Sequence, residues 1–143
     1  MHSAELSDIF CRNRLSNVCC SAGTIRIDPS ISKIEDAAFS DLEEKEGIAV
    51  VVNASKKGDI ELVDFSGCNN MTTIGDYAFY NNQIASLESL PSTLVYIGYG
   101  AFAWNKIEAI TLPLSLKTIG WYAFAGNNIS SITIPSSVNT IGK

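Results

Sequence analysis

Apolar and polar positions along this chain recur as a long block, without the short rhythm of a lone helix or strand. The block reads Ile74-Gly75-Asp76-Tyr77-Ala78-Phe79, then Ile97-Gly98-Tyr99-Gly100-Ala101-Phe102, then Ile119-Gly120-Trp121-Tyr122-Ala123-Phe124, and a further copy opens at Ile141-Gly142. Its phenylalanines stand 23 and 22 residues apart. Three residues ahead of each Ile comes another apolar side chain, at Met71, Leu94, Leu116 and Val138. A period of this length predicts a solenoid, because no single repeat can bury its apolar side except against its neighbours.

Between copies run strand-like pieces that end at proline: Leu87 to Leu90 before Pro91, Ile110 to Leu112 before Pro113, and Ile132 to Ile134 before Pro135. Alternating apolar and polar residues suit a strand with one face in the core, and proline then stops the ladder for want of an N–H. Upstream, Ile25 to Pro29 reads as a similar strand, and Ile34 to Phe39 repeats the Ile-to-Phe spacing. The rhythm breaks over residues 40–59, where the acidic run Asp41 to Glu46 reads as a solvated helical turn rather than a cation site. Ala49 to Asn53 and Ile60 to Phe65, either side of Gly58, predict a hairpin or one long irregular repeat. Residues 1–24 lack the repeat; helical spacing from Ser7 to Val18 predicts an N-terminal cap, which the end of a solenoid core requires. The expected organisation is therefore a cap over 1–24 and a solenoid over 25–143, regular from about 60 onward.

Each repeat position has an expected task. The isoleucines, the alanines at 78, 101 and 123, the phenylalanines, and Ile84, Ile107 and Ile129 should stack as inward columns. Burial of one such Ile or Phe contributes roughly 1.5–3 kcal/mol. The glycines at 75, 98, 120 and 142 are expected at positive φ, where a Cβ is resisted. Asn82, Asn105 and Asn127, each three residues after a repeat Phe, should hydrogen-bond the loop backbone of adjacent coils from inside. Cys68, three after Phe65, is expected in that same column as a structural thiol.

The unit Ile-x-Ile-Pro-x-x-Val-x-x-Ile-Gly-x-x-Ala-Phe-x-x-Asn resembles the BspA-like class of leucine-rich repeat, well over residues 60–143 and partly over 25–39. The resemblance implies a right-handed β/α superhelix, with short parallel strands on its concave side and short helical turns on the other. It also implies protein binding and adhesion at a cell surface, or secretion.

Composition narrows the function classes. A net charge of −5 disfavours nucleic acid and anionic membranes, both of which call for clustered Lys and Arg. No run is long and apolar enough to insert in a membrane as a helix. No basic segment followed by an apolar stretch opens the chain, so no signal peptide is read there and an intracellular site stays open. The single histidine, His2, leaves no basis for a His triad or His-ligated metal, and neither a P-loop nor a dinucleotide fingerprint occurs. Glu35, Asp36, Asp59, Glu61 and Asp64 read as solvated acids. No enzyme, cofactor or metal is expected. Cys11 can pair with Cys19 or Cys20 in an oxidising compartment, or all can remain thiols. Asn53, Asn70 and Asn128 fit the glycosylation acceptor pattern, a weak match.

Two surfaces compete as the protein-binding site. One is a polar row along the sheet: Arg26, Glu88 or Ser89, Thr111 and Thr133. The other is aromatic: Tyr77, Tyr80, Tyr96, Tyr99, Trp104, Trp121 and Tyr122 fall at or near turns, and such side chains bury much area at little entropic cost. The expected function is non-catalytic protein binding, in cell-surface adhesion or host-protein interaction. The alternatives are an intracellular scaffold or secreted effector, and a structural spacer within a longer repeat array. The last repeat, if uncovered, is expected to favour self-association.

Overall fold

The structure is a computed structural model that describes residues 18–21, 24–27, 29–39 and 60–142. Its strands are β1 (Val18–Ser21), β2 (Thr24–Ile27), β3 (Lys33–Ile34), β4 (Leu62–Asp64), β5 (Thr73–Ile74), β6 (Ser86–Leu87), β7 (Tyr96–Ile97), β8 (Ala109–Ile110), β9 (Thr118–Ile119) and β10 (Thr140–Ile141). One five-stranded sheet runs β10-β9-β7-β5-β3, parallel throughout. Its register puts Ile34, Ile74, Ile97, Ile119 and Ile141 in a single row, one per coil. Elsewhere in the coils β4 pairs parallel with β2, and β8 with β6. Chain segments about a repeat apart therefore lie side by side, which is the stacking that the period predicts.

The main sheet does not use the expected residues. It is built from the dipeptide ending at the Ile before each repeat glycine, not from the pieces ahead of proline. Those pieces keep only β6 and β8, and Ile132 to Ile134 forms no strand. The last coil-to-coil backbone bond on that side is Asn128 N–H to Ile107 O, so 132–134 have no ladder to join. Ile60 to Phe65 contributes β4, a solenoid strand paired in parallel with β2, which fits the reading as one long irregular repeat. Ala49 to Asn53, the acidic run, Cys11 and the helical reading of 7–17 lie outside the described residues. Val18, where that helical reading ends, opens strand β1, antiparallel to β2.

Directly after the main-sheet strands β3, β5, β7 and β9 the chain turns without forming a helix among the described residues. Gly75 O accepts from Ala78 N–H, Gly98 O from Ala101 and Gly120 O from Ala123, closing one tight turn per coil. Between those bonds the backbone enters the left-handed region: Ala37, Tyr77 and Tyr122 each have φ of 57°, and Gly100 has 59°. A residue with φ near +60° at the third turn position is the mark of a type II turn, and it directs alternate N–H groups out of the coil. Those groups bond the next coil. Tyr77 N–H donates to Tyr99 O at 2.7 Å, Phe79 to Ala101 at 2.8 Å and Asn81 to Ala103 at 2.9 Å. Backbone donors that a helix would spend on itself here link neighbours, which explains why turns replace the expected helices.

The repeat glycines do not have positive φ; among the described glycines Gly67, Gly100 and Gly126 do. Their need is spatial. A Cβ on Gly98 would lie 2.7 Å from Asp76 N and 2.8 Å from Gly75 C, and one on Gly120 would lie 2.6 Å from Gly98 C. Glycine at this position lets coils approach backbone to backbone.

Inside, the apolar columns are as expected. Ile74, Ile97, Ala78, Ala101, Phe79 and Phe102 are fully buried. The phenylalanine rings stack in file: Phe39 to Phe79 at 5.3 Å, Phe79 to Phe102 at 5.2 Å, and Phe102 to Phe124 at 5.8 Å between centroids. Beside them runs the asparagine column. Asn105 Nδ2 donates to Phe79 O and Phe102 O, and its Oδ1 accepts from Ile84 N–H. Asn82 and Asn127 make the equivalent bonds one coil to either side. Cys68 is not in this column. It precedes Ile74 by the interval that separates Pro91 from Ile97, and its thiol donates to Ile27 O at 3.5 Å. The thiol is buried and structural, one segment away from its expected place.

Candidate functional site

The polar row is dispersed. Arg26 lies on β2, where its Nε donates to Asp64 Oδ2 at 3.2 Å. Glu88 and Ser89 follow β6 and Thr111 follows β8, all exposed, while Thr133 sits in a segment without strand pairing. Because Arg26 lies in a different sheet from β6 and β8, Glu88, Ser89 and Thr111 come after their strands, and Thr133 has no strand, no continuous polar ribbon forms. The inserted residue between Leu87 and Pro91, relative to Ile110 and Pro113, also breaks the column.

The aromatic residues assemble instead. Tyr77 and Tyr122 occupy the same left-handed turn position in different coils, and Tyr99 and Trp121 occupy the position just before it. Their rings form a continuous ladder across three coils. Tyr80 meets Tyr77 edge-on at 5.5 Å, Tyr77 meets Tyr99 at 5.2 Å, Tyr99 meets Tyr122 at 5.7 Å, and Trp121 flanks Tyr122 at 6.3 Å. Tyr99, Trp121 and Tyr122 are 39%, 52% and 51% exposed, so the C-terminal half of the ladder faces solvent. Gly100 makes room for it: a Cβ there would meet the Tyr77 ring at 2.9 Å.

Two carboxylates frame the other half. Asp36 Oδ1 accepts from Asp76 N–H at 2.8 Å, and Asp76 Oδ1 accepts from Tyr99 N–H at 2.9 Å and from the Tyr96 hydroxyl at 3.4 Å. Tyr96 is thus half-buried on β7 and tied to the acid. Burial, then the Asp76 charge and hydrogen bond, raise its phenol above the ordinary tyrosine range. Burial and a hydrogen bond with Tyr99 raise Tyr77 likewise. Sequence reasoning missed Asp76 as a member of the site. The available signal was its position directly after the repeat glycine, matching Asp36 one coil earlier. Trp104 is exposed but stands apart, at φ 60° with its indole over Gly126.

At the last coil an open apolar hollow of about 430 Å3 is lined by Phe124, Ile129, Ile132, Ile134 and Ile141 among others. Among the described residues no group of three or more His, Cys, Asp or Glu side chains is placed to hold a metal ion, and no helix is long and apolar enough to cross a membrane.

What this geometry offers is shape and π-surface, on a backbone locked coil to coil. No curated protein and no solved structure matches the chain. The family model for the BspA-type leucine-rich repeat region matches residues 46–143 in six copies. The stacked coils, the asparagine column and that match lead to one conclusion: the chain belongs to the BspA-type leucine-rich-repeat family, whose repeats build solenoid-like, generally non-catalytic protein-interaction modules.

Proposed function

We propose that this chain is a non-catalytic binding module that grips a partner protein through the exposed part of the aromatic ladder, and that it serves adhesion at a cell surface. The single observation that carries the reading is the convergence of Tyr99, Trp121 and Tyr122, from different repeats, into one exposed surface. Three adjacent half-exposed aromatic rings leave apolar area uncovered that a partner can bury, and Tyr and Trp dominate binding hot spots. Surface association is typical of this family, which supports the adhesion reading. The polar row is the weaker candidate because its members do not share a sheet. Within the same proposal, residues 1–24 act as the cap and 25–143 as the binding solenoid. Ile132, Ile134 and Ile141, exposed at the apolar hollow, are the surface for self-association.

The test is capture by the immobilised 143-residue chain from extracellular-matrix extract and, in parallel, from cytosolic lysate. A matrix protein retained by wild type and lost with Trp121→Ser plus Tyr122→Ser supports the proposal. A cytosolic protein behaving so contradicts adhesion, and capture indifferent to both substitutions contradicts the ladder.

A further inference from the structure

The ladder has an electrical polarity along the solenoid. Its exposed C-terminal part is bare π-surface; its N-terminal part is flanked by Asp36 and Asp76, consecutive along one row of coils. Each of these carboxylates uses Oδ1 to bind backbone of the following coil, which fixes its orientation. Oδ2 of each has no hydrogen-bond partner among the described residues, and no Lys or Arg is ion-paired to either acid there. Asp76 directly precedes the ladder residue Tyr77, and its Oδ1 holds the N–H of the ladder residue Tyr99 at 2.9 Å, so this carboxylate stands beside the aromatic surface, with Asp36 one coil before it.

A ligand suited to this surface must stack on Tyr and Trp and also answer unneutralised carboxylate oxygens. Apolar side chains satisfy the first requirement alone, and a hydrated ammonium satisfies chiefly the second. A guanidinium satisfies both, because it is planar, weakly hydrated, stacks on aromatic faces and presents paired donors to a carboxylate. The protein's net charge of −5 adds long-range attraction of the same sign preference.

We propose that the segment bound by Tyr99, Trp121 and Tyr122 is arginine-bearing, with one guanidinium stacked on the exposed rings and another at the Asp36 and Asp76 carboxylates. This rests on the ladder being the binding face, as proposed above. It goes further by naming the partner's chemistry.

The chain has two tryptophans, so Trp104→Phe leaves Trp121 as the sole indole reporter. That variant is titrated with three flexible Gly/Ser peptides carrying two arginines, two lysines or two citrullines at the same positions. The expected result is a saturable change in Trp121 emission with the arginine peptide. The lysine peptide should bind about three- to tenfold more weakly, and citrulline should give no response. Binding should weaken as salt rises from about 0.05 to 0.5 M. Asp76→Asn keeps the Oδ1 acceptor for Tyr99 N–H but removes the charge, so it should weaken the arginine peptide with an unchanged thermal melt. Equal responses to arginine and citrulline, or none to arginine at millimolar concentration, would overturn the proposal. If that occurs while partner capture still depends on Trp121 and Tyr122, the ladder stands as the binding face and only its arginine chemistry falls.

Discussion

The side-chain amide of Asn105 donates to the carbonyl of Phe79, 26 residues earlier, at 2.9 Å, inside the core and out of reach of water. The same amide group bonds Phe102 O within its own coil, and its oxygen takes the N–H of Ile84. One residue thus satisfies three backbone groups from two coils. Asn105→Leu should strand them, at about 1–3 kcal/mol for each unsatisfied buried group. A total loss of at least about 3 kcal/mol in urea melts is expected; a loss under about 1 kcal/mol would mean that water reaches this column.

Phe102 lies between Phe79 and Phe124 in the ring file, with centroids 5.2 and 5.8 Å away. Phe102→Ala should open a cavity in the middle of the stack and cost about 3–5 kcal/mol. The same melts measure it, and near-neutral behaviour would refute a close-packed column.

The repeat glycines separate crowding from backbone conformation. Gly98→Ala pushes a Cβ into the neighbouring coil at Asp76 N and Gly75 C, with an expected cost of about 1–3 kcal/mol as rigid backbone is forced apart. Gly67 has φ of 75° but its nearest neighbour is Pro29 Cγ at 3.5 Å, so Gly67→Ala should cost only the left-handed penalty, about 1–2 kcal/mol. If Gly98→Ala proves the milder change, the close approach of coils is wrong.

These glycines mark the boundary of what the chain discloses by pattern. The period, the inward Ile, Ala and Phe columns and the asparagine column are legible because each repeat places the same side chain in the same environment. Glycine is ambiguous: it is absent from no list of reasons for lacking a Cβ, and here crowding, not φ, is the reason. The residues that do carry positive φ include Ala37, Tyr77 and Tyr122, which announce nothing. Strand placement fails for a related reason. A two-residue strand has no room for alternation to reveal itself, and proline flags the wrong half of the repeat. For the site, the aromatic residues are visible in sequence, but their joining depends on Tyr99 and Trp121 preceding the turn position that Tyr77 and Tyr122 occupy. The Asp36 and Asp76 frame depends on coil-to-coil bonds that no local motif encodes.

Asp64 gives a pH signature. Its carboxylate accepts from the Ser66 hydroxyl and N–H and from Arg26 Nε, and these bonds hold its pKa below the usual aspartate value, Ser66 first. The folded-state pKa lies below the unfolded one, about 3.9. The stabilisation is therefore present above that value and is lost as pH falls through the lower folded midpoint. Ser66→Ala should move the Asp64 midpoint, followed by carboxyl-carbon NMR, upward toward the ordinary value. An unmoved midpoint would contradict the assignment to Ser66.

The central claim is that recognition runs through the ladder and not through the polar row. The direct measurement compares, on one matrix-extract capture, Trp121→Ser plus Tyr122→Ser against Thr111→Arg plus Thr133→Arg, both pairs being exposed and expected to melt near wild type. The account predicts loss of the captured partner in the aromatic pair and retention in the threonine pair. Retention in the aromatic pair with loss in the threonine pair would contradict it.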